Sequence, residues 1–167
     1  MGGAPLMIYP DLAPNDAKSL TYTTAPLESD LSVTGHPVVS LWVTSSTNDG
    51  DFIVLLEEVD EAGVSHYVSE GVLRASHRAL AEAPWDNLGL PFQRSFRTDL
   101  EPLPATGPAQ LEMDLLPTAT VFNAGHRIRL TIMGADADNI ELPASAPTYR
   151  VYRDAARPSS LVIPVMR

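Results

Sequence analysis

Several short runs of the chain alternate apolar and polar residues, and a period of two predicts β-strands with one buried face. In "QLEMDLLP" (110–117) leucine and methionine alternate with polar residues, and the same alternation recurs over 126–134 and 159–166. Residues 37–46 are mostly apolar and rich in β-branched residues, which is typical of a strand covered on both faces. Single strands are also predicted over 19–24 and over 148–153. Residues 51–78 are long enough for three strands, of which the first two are joined by a turn at 60–63 and the last two are separated by a break.

Two segments depart from this pattern. Residues 74–84 ("RASHRALAEAP") are rich in helix-forming residues and end at Pro84, so they predict a short helix. A long proline-rich segment then follows over 85–109, and it contains Trp85, Phe92 and Phe96. Three aromatic residues in one connecting segment indicate that the segment packs onto another surface.

About eight short strands separated by prolines and turns predict an all-β protein. The spacing favours a β-sandwich, and within that class a jelly roll. A chain of 167 residues is long enough to bury one core without disulfides. We expect an N-terminal tail or linker over residues 1–17 and a single domain over 18–167.

The charge of the chain narrows its partners. It carries 21 acidic residues against 11 basic ones, for a net charge of −10, which opposes binding to a nucleic-acid backbone. Only Lys18 is a lysine, so the other ten basic residues are arginines, and we expect several of them to pair with carboxylates.

Composition also bears on the compartment. The chain has no cysteine, which excludes disulfides, thiolate metal sites and a cysteine nucleophile. No apolar run approaches the ~20 residues that span a bilayer, and the first residues lack the pattern of a secretory signal. We therefore expect a cytoplasmic protein without a membrane partner.

Motifs for familiar catalytic chemistry are absent. No Gly-x-Ser-x-Gly turn, His-Glu-x-x-His helix, P-loop or Gly-x-Gly-x-x-Gly loop occurs, and "GVSHY" (63–67) lacks the second glycine of a nucleophile turn. We accordingly expect no cofactor.

Three parts of the sequence contain residue types that can bind a metal ion. The four histidines fall on four different predicted elements, without the spacing of a helical ligand pair, so we expect no metal site among them. The stretches "TNDGDF" (47–52) and "ADADN" (135–139) offer carboxylates to a cation such as calcium. We favour polar turns whose carboxylates bind backbone amides, because no further ligand follows at the right spacing.

The stretch "VFNAGHRIRLTI" (121–132) contains His126, Arg127 and Arg129 in close succession. These residues could form a catalytic base or an anion site. A turn at Gly125 followed by a strand with both arginines on one face accounts for every residue of the stretch, so we prefer that interpretation.

Five stretches together resemble a known family. They are "LTYTTAPLESDLSVTGHPVVSLWVTSS" (20–46), "DGDFIVLLEEVDEAG" (49–63), "EGVLRASHRAL" (70–80), "LLPTATVFNAGHRIRLTIMGAD" (115–136) and "SSLVIPV" (159–165). Their order and spacing are similar to those of the C-terminal domain of the X-Pro dipeptidyl-peptidase and cocaine-esterase-like hydrolases. The resemblance covers roughly residues 18–166.

This resemblance implies a galactose-binding-domain-like jelly roll that packs on an upstream α/β-hydrolase domain and helps shape its active-site entrance and assembly. The catalytic triad of the family lies in that upstream domain, so no catalytic residue is carried over to this chain. The residues that match family motifs imply turns and internal charge pairs, and they are Asp49, Asp51, Arg74, Arg78, Gly125, His126 and Arg127. The segment 74–96 is longer than in the cocaine-esterase pattern and is more similar to the variant seen in related ester and acyl hydrolases. The substrate of the parent protein is therefore left as either a peptide or an ester.

Three hypotheses follow. The first is a non-catalytic accessory domain of a serine hydrolase, with Trp85, Phe92 and Phe96 as candidates for an interface, and with a homo-oligomer as a further possible assembly. The second is a carbohydrate-binding module, although Trp42 is expected in the core because its neighbours are apolar. The third is a stand-alone hydrolase with a triad drawn from separate elements, such as Ser65 with His66 or His126.

Overall fold

The computed structural model describes residues 12–137, 142 and 146–166. Antiparallel strands make up most of this described chain. The strands are β1 (Leu20–Thr23), β2 (Leu31–Gly35), β3 (Val38–Ser45), β4 (Asp51–Val59), β5 (Ser65–Arg74), β6 (Ala109–Asp114), β7 (Thr118–Phe122), β8 (Arg127–Met133), β9 (Tyr149–Asp154), β10 (Arg157–Pro158) and β11 (Ser160–Val162). The helical elements are α1 (Ala13–Asp16) and single 3-10 turns at Ala75–His77 and Arg97–Asp99. No helix within the described ranges has the length and apolar character needed to cross a membrane.

The strands form two main sheets. The first sheet has the order β1-β8-β4-β5. The second is built around β3, which pairs with β6 along one edge and with β11 and then β9 along the other, while β10 extends β9. Strands β2 and β7 form a separate pair. Side chains from both main sheets enter one buried apolar cluster, so the fold is a β-sandwich.

Burial alternates along the strands as the sequence predicts. In β8, Ile128, Leu130 and Ile132 are buried, whereas Arg127 and Arg129 lie on the other face. In β6, Leu111 and Met113 are buried in the same cluster. The period-two prediction for both strands is therefore confirmed.

Strand β4 is the most deeply buried strand of the first sheet. Its inner residues join the core, and its outer residues Ile53 and Leu55 are covered by Leu12, which precedes helix α1. Asp16, at the end of that helix, binds the Arg129 guanidinium at 2.5 Å and accepts a hydrogen bond from the Thr131 hydroxyl at 3.3 Å. The N-terminal end of the described chain is thus tied to the outer face of the first sheet.

Four details differ from the sequence-based expectations. Residues 74–84 form one 3-10 turn followed by an irregular segment, so the predicted helix is wrong. Strand β5 continues to Arg74, so the predicted break inside 51–78 is also wrong. Strands β2 and β7 were not predicted. Trp42 is half-buried on the outer face of the second sheet, because Leu41 and Val43 take the inward positions of β3, so its expected place in the core is wrong.

Candidate docking surface and the contacts that support it

Arg78 ties together the two ends of a long surface loop, which we define as residues 79–100 and call the docking loop. Its guanidinium donates to the carbonyl oxygens of Ala75, Glu101 and Pro102 and lies 3.1 Å from the Glu101 carboxylate. The Arg78 side chain is only 15% exposed, whereas its partners at residues 101 and 102 lie at the surface. The Glu101 amide also donates to the Ser76 carbonyl, at 2.8 Å, which closes the base of the loop.

Asp49 holds the turn that leads into the docking loop. Its carboxylate accepts hydrogen bonds from the backbone amide of Ser76 at 2.9 Å and from the Ser76 hydroxyl at 2.8 Å. It also accepts one from the Gly50 amide at 2.9 Å. This arrangement is the one that the sequence favoured for the TNDGDF turn, in which carboxylates bind backbone amides.

Asp51 and Arg74 face each other across the β4–β5 ladder. Two parallel hydrogen bonds of 3.0 Å join the Arg74 guanidinium to the Asp51 carboxylate. Such bidentate geometry fixes the orientation of both side chains as well as their separation. The pair therefore marks the end of the first sheet from which the docking loop departs.

The docking loop has internal contacts that define its shape. The Arg94 guanidinium binds both carboxylate oxygens of Asp99, at 2.9 and 2.6 Å, and lowers the pKa of that carboxyl below its ordinary value. The Ala81 amide donates to the Phe92 carbonyl at 2.9 Å. The Trp85 and Phe92 rings meet edge to face, with 5.0 Å between their centroids. The loop is thus organised over most of its length.

Despite this order, the docking loop presents large apolar side chains to solvent. Leu88 is 82% exposed, Phe96 60% and Trp85 59%, and Phe92 is half-buried behind Trp85. Leu88 also has a positive φ of 60°, a backbone angle that is uncommon for a residue other than glycine. We call the exposed apolar set the docking surface, and its members are Leu80, Trp85, Leu88, Phe96 and Leu100. An apolar surface this concentrated is typical of a protein–protein contact.

The Gly125-His126-Arg127 sequence forms a turn before β8, at the end of the first sheet opposite the Asp51–Arg74 pair. Gly125 has a φ of +84°, and the His126 amide donates to the Asn123 carbonyl at 3.1 Å. The His126 ring binds the Glu58 carboxylate at 2.8 Å, and Arg127 donates to the Thr24 carbonyl at 3.0 Å. Each polar group of this turn is thus engaged with a neighbouring strand or loop.

The other histidines and Ser65 have separate partners, and Ser65 is buried while His66, the next residue of β5, is exposed. The His36 ring binds the Asp114 carboxylate and the His66 ring binds the Asp60 carboxylate, each at 2.9 Å. The Ser65 hydroxyl donates to Glu57 rather than to a histidine. Within the part of the chain that the structure describes, no group of three or more histidine or carboxylate side chains could hold a metal ion. The ADADN stretch extends beyond the described residues at 138 and 139.

Glu57 is a fully buried acid on β4. Its burial raises the pKa of the carboxyl, while the hydrogen bond from the Ser65 hydroxyl opposes that rise. One oxygen of the Glu57 carboxyl is buried without a hydrogen-bond partner among the described residues. Glu57 lies beside Asp16 and Arg129, so it belongs to the polar cluster under helix α1.

Sequence reasoning named three aromatic residues of the docking loop but missed its exposed leucines. Leu80, Leu88 and Leu100 carry no local pattern, because an isolated leucine in a loop can lie on either side of it. The partners of Arg78 were missed for a different reason, since two of its contacts are backbone carbonyls more than 20 residues away. One local feature did indicate the exposed leucines. In "DNLGLPF" (86–92) apolar residues lie on both sides of a turn that is not flanked by a predicted strand.

The fold and this surface define a β-sandwich domain that carries an organised, apolar loop at one end. The chain belongs to the family described as the X-Pro dipeptidyl-peptidase C-terminal non-catalytic domain, whose model matches residues 8–162.

Individual relatives agree with this family. A protein of Mycobacterium bovis that bears the provisional name of serine esterase is 48% identical over 161 residues, which are 95% of this chain and 26% of the relative. The cocaine esterase of a Rhodococcus species is 25% identical over 189 residues, covering 100% of this chain and 30% of the relative. The chain therefore spans about a quarter to a third of the length of the curated relatives that it matches.

A solved structure agrees with the fold. A CocE/NonD family hydrolase from Staphylococcus aureus superposes with a TM-score of 0.74 at 20% identity, over 89% of this chain and 30% of that one. Similarity at this level of identity concerns the sandwich itself.

Proposed function

We propose that this chain is the accessory domain of a serine hydrolase and that it packs on an α/β-hydrolase catalytic domain through its docking surface. The observation that carries the proposal is the exposure of Trp85, Leu88 and Phe96 on one loop that is closed at its base by Arg78. An organised apolar surface suits a permanent partner, because little conformational entropy is lost when it is covered. The family match and the remaining length of the relatives support a partner within the same polypeptide.

In this proposal the residues that match family motifs hold turns and loops in place rather than act on a substrate. Arg78 and Asp49 hold the two ends of the docking loop, and Asp51 with Arg74 fixes the strand end from which it departs. Gly125, His126 and Arg127 serve a separate turn. The domain would then contribute to the shape of the active-site entrance by its position alone.

The test uses the parent protein expressed as two pieces, this chain and the remainder. We expect the wild-type pieces to purify together. The triple variant W85S/L88S/F96S should lose this association, because three apolar contacts are replaced by hydroxyls. The control V72S/V162S removes two exposed apolar residues from strands β5 and β11 and should bind normally. Equal binding by both variants would refute the proposed surface.

The substrate of the parent is proposed to be an ester or an X-Pro peptide. Two assays of the intact parent distinguish these substrates. Hydrolysis of p-nitrophenyl acetate would indicate an esterase, and hydrolysis of glycyl-prolyl-p-nitroanilide would indicate an X-Pro peptidase. A fluorophosphonate probe on the intact parent should label one serine outside this chain. Labelling within this chain would instead support the stand-alone hydrolase.

A carbohydrate-binding role is the second candidate, and one observation favours it. Trp42 lies on the outer face of the second sheet, directly opposite Tyr152 on β9 and Gln110 on β6. Aromatic rings beside an amide are suited to stacking on a sugar and binding its hydroxyls. A glycan array with wild type and Trp42→Ala tests this role, and binding that survives the substitution would exclude Trp42 as the platform.

Three narrower assignments also stand as proposals. We assign the sandwich to the jelly-roll, galactose-binding-like type, on the support of its wholly antiparallel pairing. We divide the sequence into an N-terminal segment (1–17) and a domain (18–167), although the contacts of Leu12 and Asp16 favour an earlier start of the domain. A cytoplasmic location rests on the cysteine-free composition, and a homo-oligomer stays a prediction.

A further inference from the structure

One side of the sandwich is open between two edge strands. Strand β1 pairs only with β8, and β9 pairs with β3 and β10, so β1 and β9 approach each other without a shared ladder in the described chain. A cleft of about 410 Å³ lies between them and reaches into the space between the two sheets. Protein interiors are otherwise close-packed, and a concave apolar space of this size is in the range of small-molecule sites.

The walls of the cleft are apolar side chains from both sheets. The first sheet contributes Ile128, Leu130 and Ile132 from β8, and the second contributes Leu41 and Val151. Leu161 and Ile163 complete the wall near β11. An aliphatic chain in this space would be surrounded by hydrocarbon on both sides, which is the favourable environment for it.

The rim of the cleft holds a cation, Arg153, for which the described part of the chain shows no acidic partner. The Arg153 guanidinium lies over the Tyr22 ring, 5.7 Å from its centroid, and binds no carboxylate among the described residues. Two of the rim hydroxyls are already engaged, since the Ser159 hydroxyl donates to the Tyr152 carbonyl and the Thr24 hydroxyl accepts from the Ile128 amide. Arg153 is the charged residue among those that line the cleft.

The local charge around the rim is positive, although the chain carries −10 overall. The β9–β10 hairpin contains Arg150, Arg153 and Arg157 and a single acid, Asp154. That acid is bound by Arg157, at 2.9 Å. An anion approaching the cleft would meet Arg153, which lines the cleft with Val151, whereas Arg150 lies on the other face of β9.

We propose that this cleft binds a small aliphatic carboxylate. The hydrocarbon tail occupies the space between the sheets, and the carboxylate pairs with the Arg153 guanidinium at the rim. Arginine and carboxylate form two parallel hydrogen bonds, so the head group contributes specificity as well as affinity. A neutral alcohol with the same tail gains only the apolar contacts, and an ammonium group is repelled.

The test is a titration of the full 167-residue chain, with its methyl groups observed by NMR, against octanoate, 1-octanol and octylammonium. We expect saturable shifts of the Leu41, Ile128, Leu130, Val151 and Leu161 methyl groups. The affinity should fall in the order octanoate, octanol, octylammonium. Intermolecular NOEs between the octanoate methyl group and these side chains would place the tail without any variant.

Variants then separate the head group from the tail. Arg153→Gln should weaken octanoate binding by about tenfold and leave octanol binding within about twofold, because one charged pair is lost. Arg97→Gln makes the same charge change on an exposed residue of the docking loop and should change neither affinity. Leu161→Trp should fill the cleft and abolish binding of both ligands, with a native NMR spectrum as the control for folding.

Three outcomes would overturn the proposal. They are equal affinities for the three ligands, shifts confined to side chains outside the cleft, and octanoate binding that Arg153→Gln and Arg97→Gln weaken equally. If Leu161→Trp does not fold, the NOEs and the Arg153→Gln comparison still decide between these results and the expected ones.

Discussion

Individual charged residues in this molecule act mainly by what they hold in place. Arg78 binds three backbone carbonyls and one carboxylate while being largely buried, and Asp49 binds two amides and a hydroxyl. Such contacts replace the backbone ladders that an irregular segment lacks. The docking loop can therefore be ordered without being a helix or a strand.

Replacing Arg78 by alanine is expected to lower the free energy of unfolding by about 2 kcal/mol, because the three backbone carbonyls at the base of the loop lose a charged donor. The docking loop should also become more sensitive to limited proteolysis. Urea denaturation and a protease time course measure the two effects. Arg97→Ala, on an exposed residue of the same loop, serves as the control and should change neither. A stable, protease-resistant Arg78→Ala protein would contradict the role given to this residue.

Glu57 makes stability depend on pH in a predictable direction. Its pKa in the folded protein is raised above the ordinary value of 4.5 by burial. Below that ordinary value both folded and unfolded forms are protonated, so the group has no effect. As the pH rises, the unfolded form loses its proton first and stability falls, until the folded carboxyl also ionises and the full penalty is present.

Glu57→Gln removes this penalty while keeping the size of the side chain. The gain in unfolding free energy of the variant over wild type should therefore be larger at pH 8 than at pH 4. Chemical denaturation at a series of pH values measures it, with the exposed Glu61→Gln as control. A gain that is the same at every pH would show that ionisation of Glu57 plays no part.

At the scale of elements, helix α1 is too short to be stable by itself, since a four-residue helix barely completes one turn. Its order comes from the sheet beneath it, through Leu12 on Ile53 and Leu55 and through Asp16 on Arg129. The contact of Leu12 with Ile53 and Leu55 in turn buries the outer face of β4.

Leu12→Ala should expose that face and lower the free energy of unfolding by about 2–4 kcal/mol, as expected for a leucine that is 3% exposed. Leu116→Ala removes the same atoms from a residue that is 56% exposed and should have little effect. Urea denaturation compares the two variants. Equal losses would mean that Leu12 contributes no more than a surface contact.

The sequence predicted the strands that have one clear buried face and was less reliable elsewhere. Strands β6 and β8 follow a strict alternation, which is a local signal. Strands β2 and β7 pair with each other, and β2 also bridges Val33 to Val165; each strand has five residues, which is too short for alternation to stand out. The helix expected over 74–84 reflects local propensity, whereas the bonds of Arg78 and Ser76 to residues 101 and 102 impose another conformation.

The docking surface could be predicted in part for a related reason. Aromatic residues in a proline-rich connection signalled a contact, and Trp85 and Phe96 are indeed exposed. Which leucines are exposed, and how Arg78 closes the base of the docking loop, depend on tertiary contacts that have no local sequence signal. Trp42 was assigned to the wrong face because its sequence neighbours Leu41 and Val43 are apolar, although Ser40 and Thr44 share its face.

At the scale of the whole molecule, two surface properties oppose each other. A net charge of −10 keeps copies of the chain apart, whereas the docking surface favours their association when no partner covers it. Because salt screens the charge and leaves the apolar surface unchanged, the balance should depend on ionic strength.

The isolated chain is therefore expected to self-associate more at 0.5 M sodium chloride than at 0.05 M, as measured by sedimentation velocity at several protein concentrations. The W85S/L88S/F96S variant should remain monomeric in both solutions. Association that is independent of the docking surface, and so unchanged in the triple variant, would assign the contact to another part of the sandwich.

The closure of the docking loop by Arg78 has a consequence for how such domains can diverge. Because the two ends of the loop lie side by side, the segment between them is joined to the rest of the domain mainly at its base and through the Gln93 side chain, which donates to the Glu112 carbonyl of β6. Residues can be inserted, deleted or exchanged there without shifting the register of any strand, so the loop behaves as a cassette on a constant scaffold. Related domains can then fit differently shaped catalytic partners by changing this one segment, while the sandwich and the clasp that closes the loop stay the same.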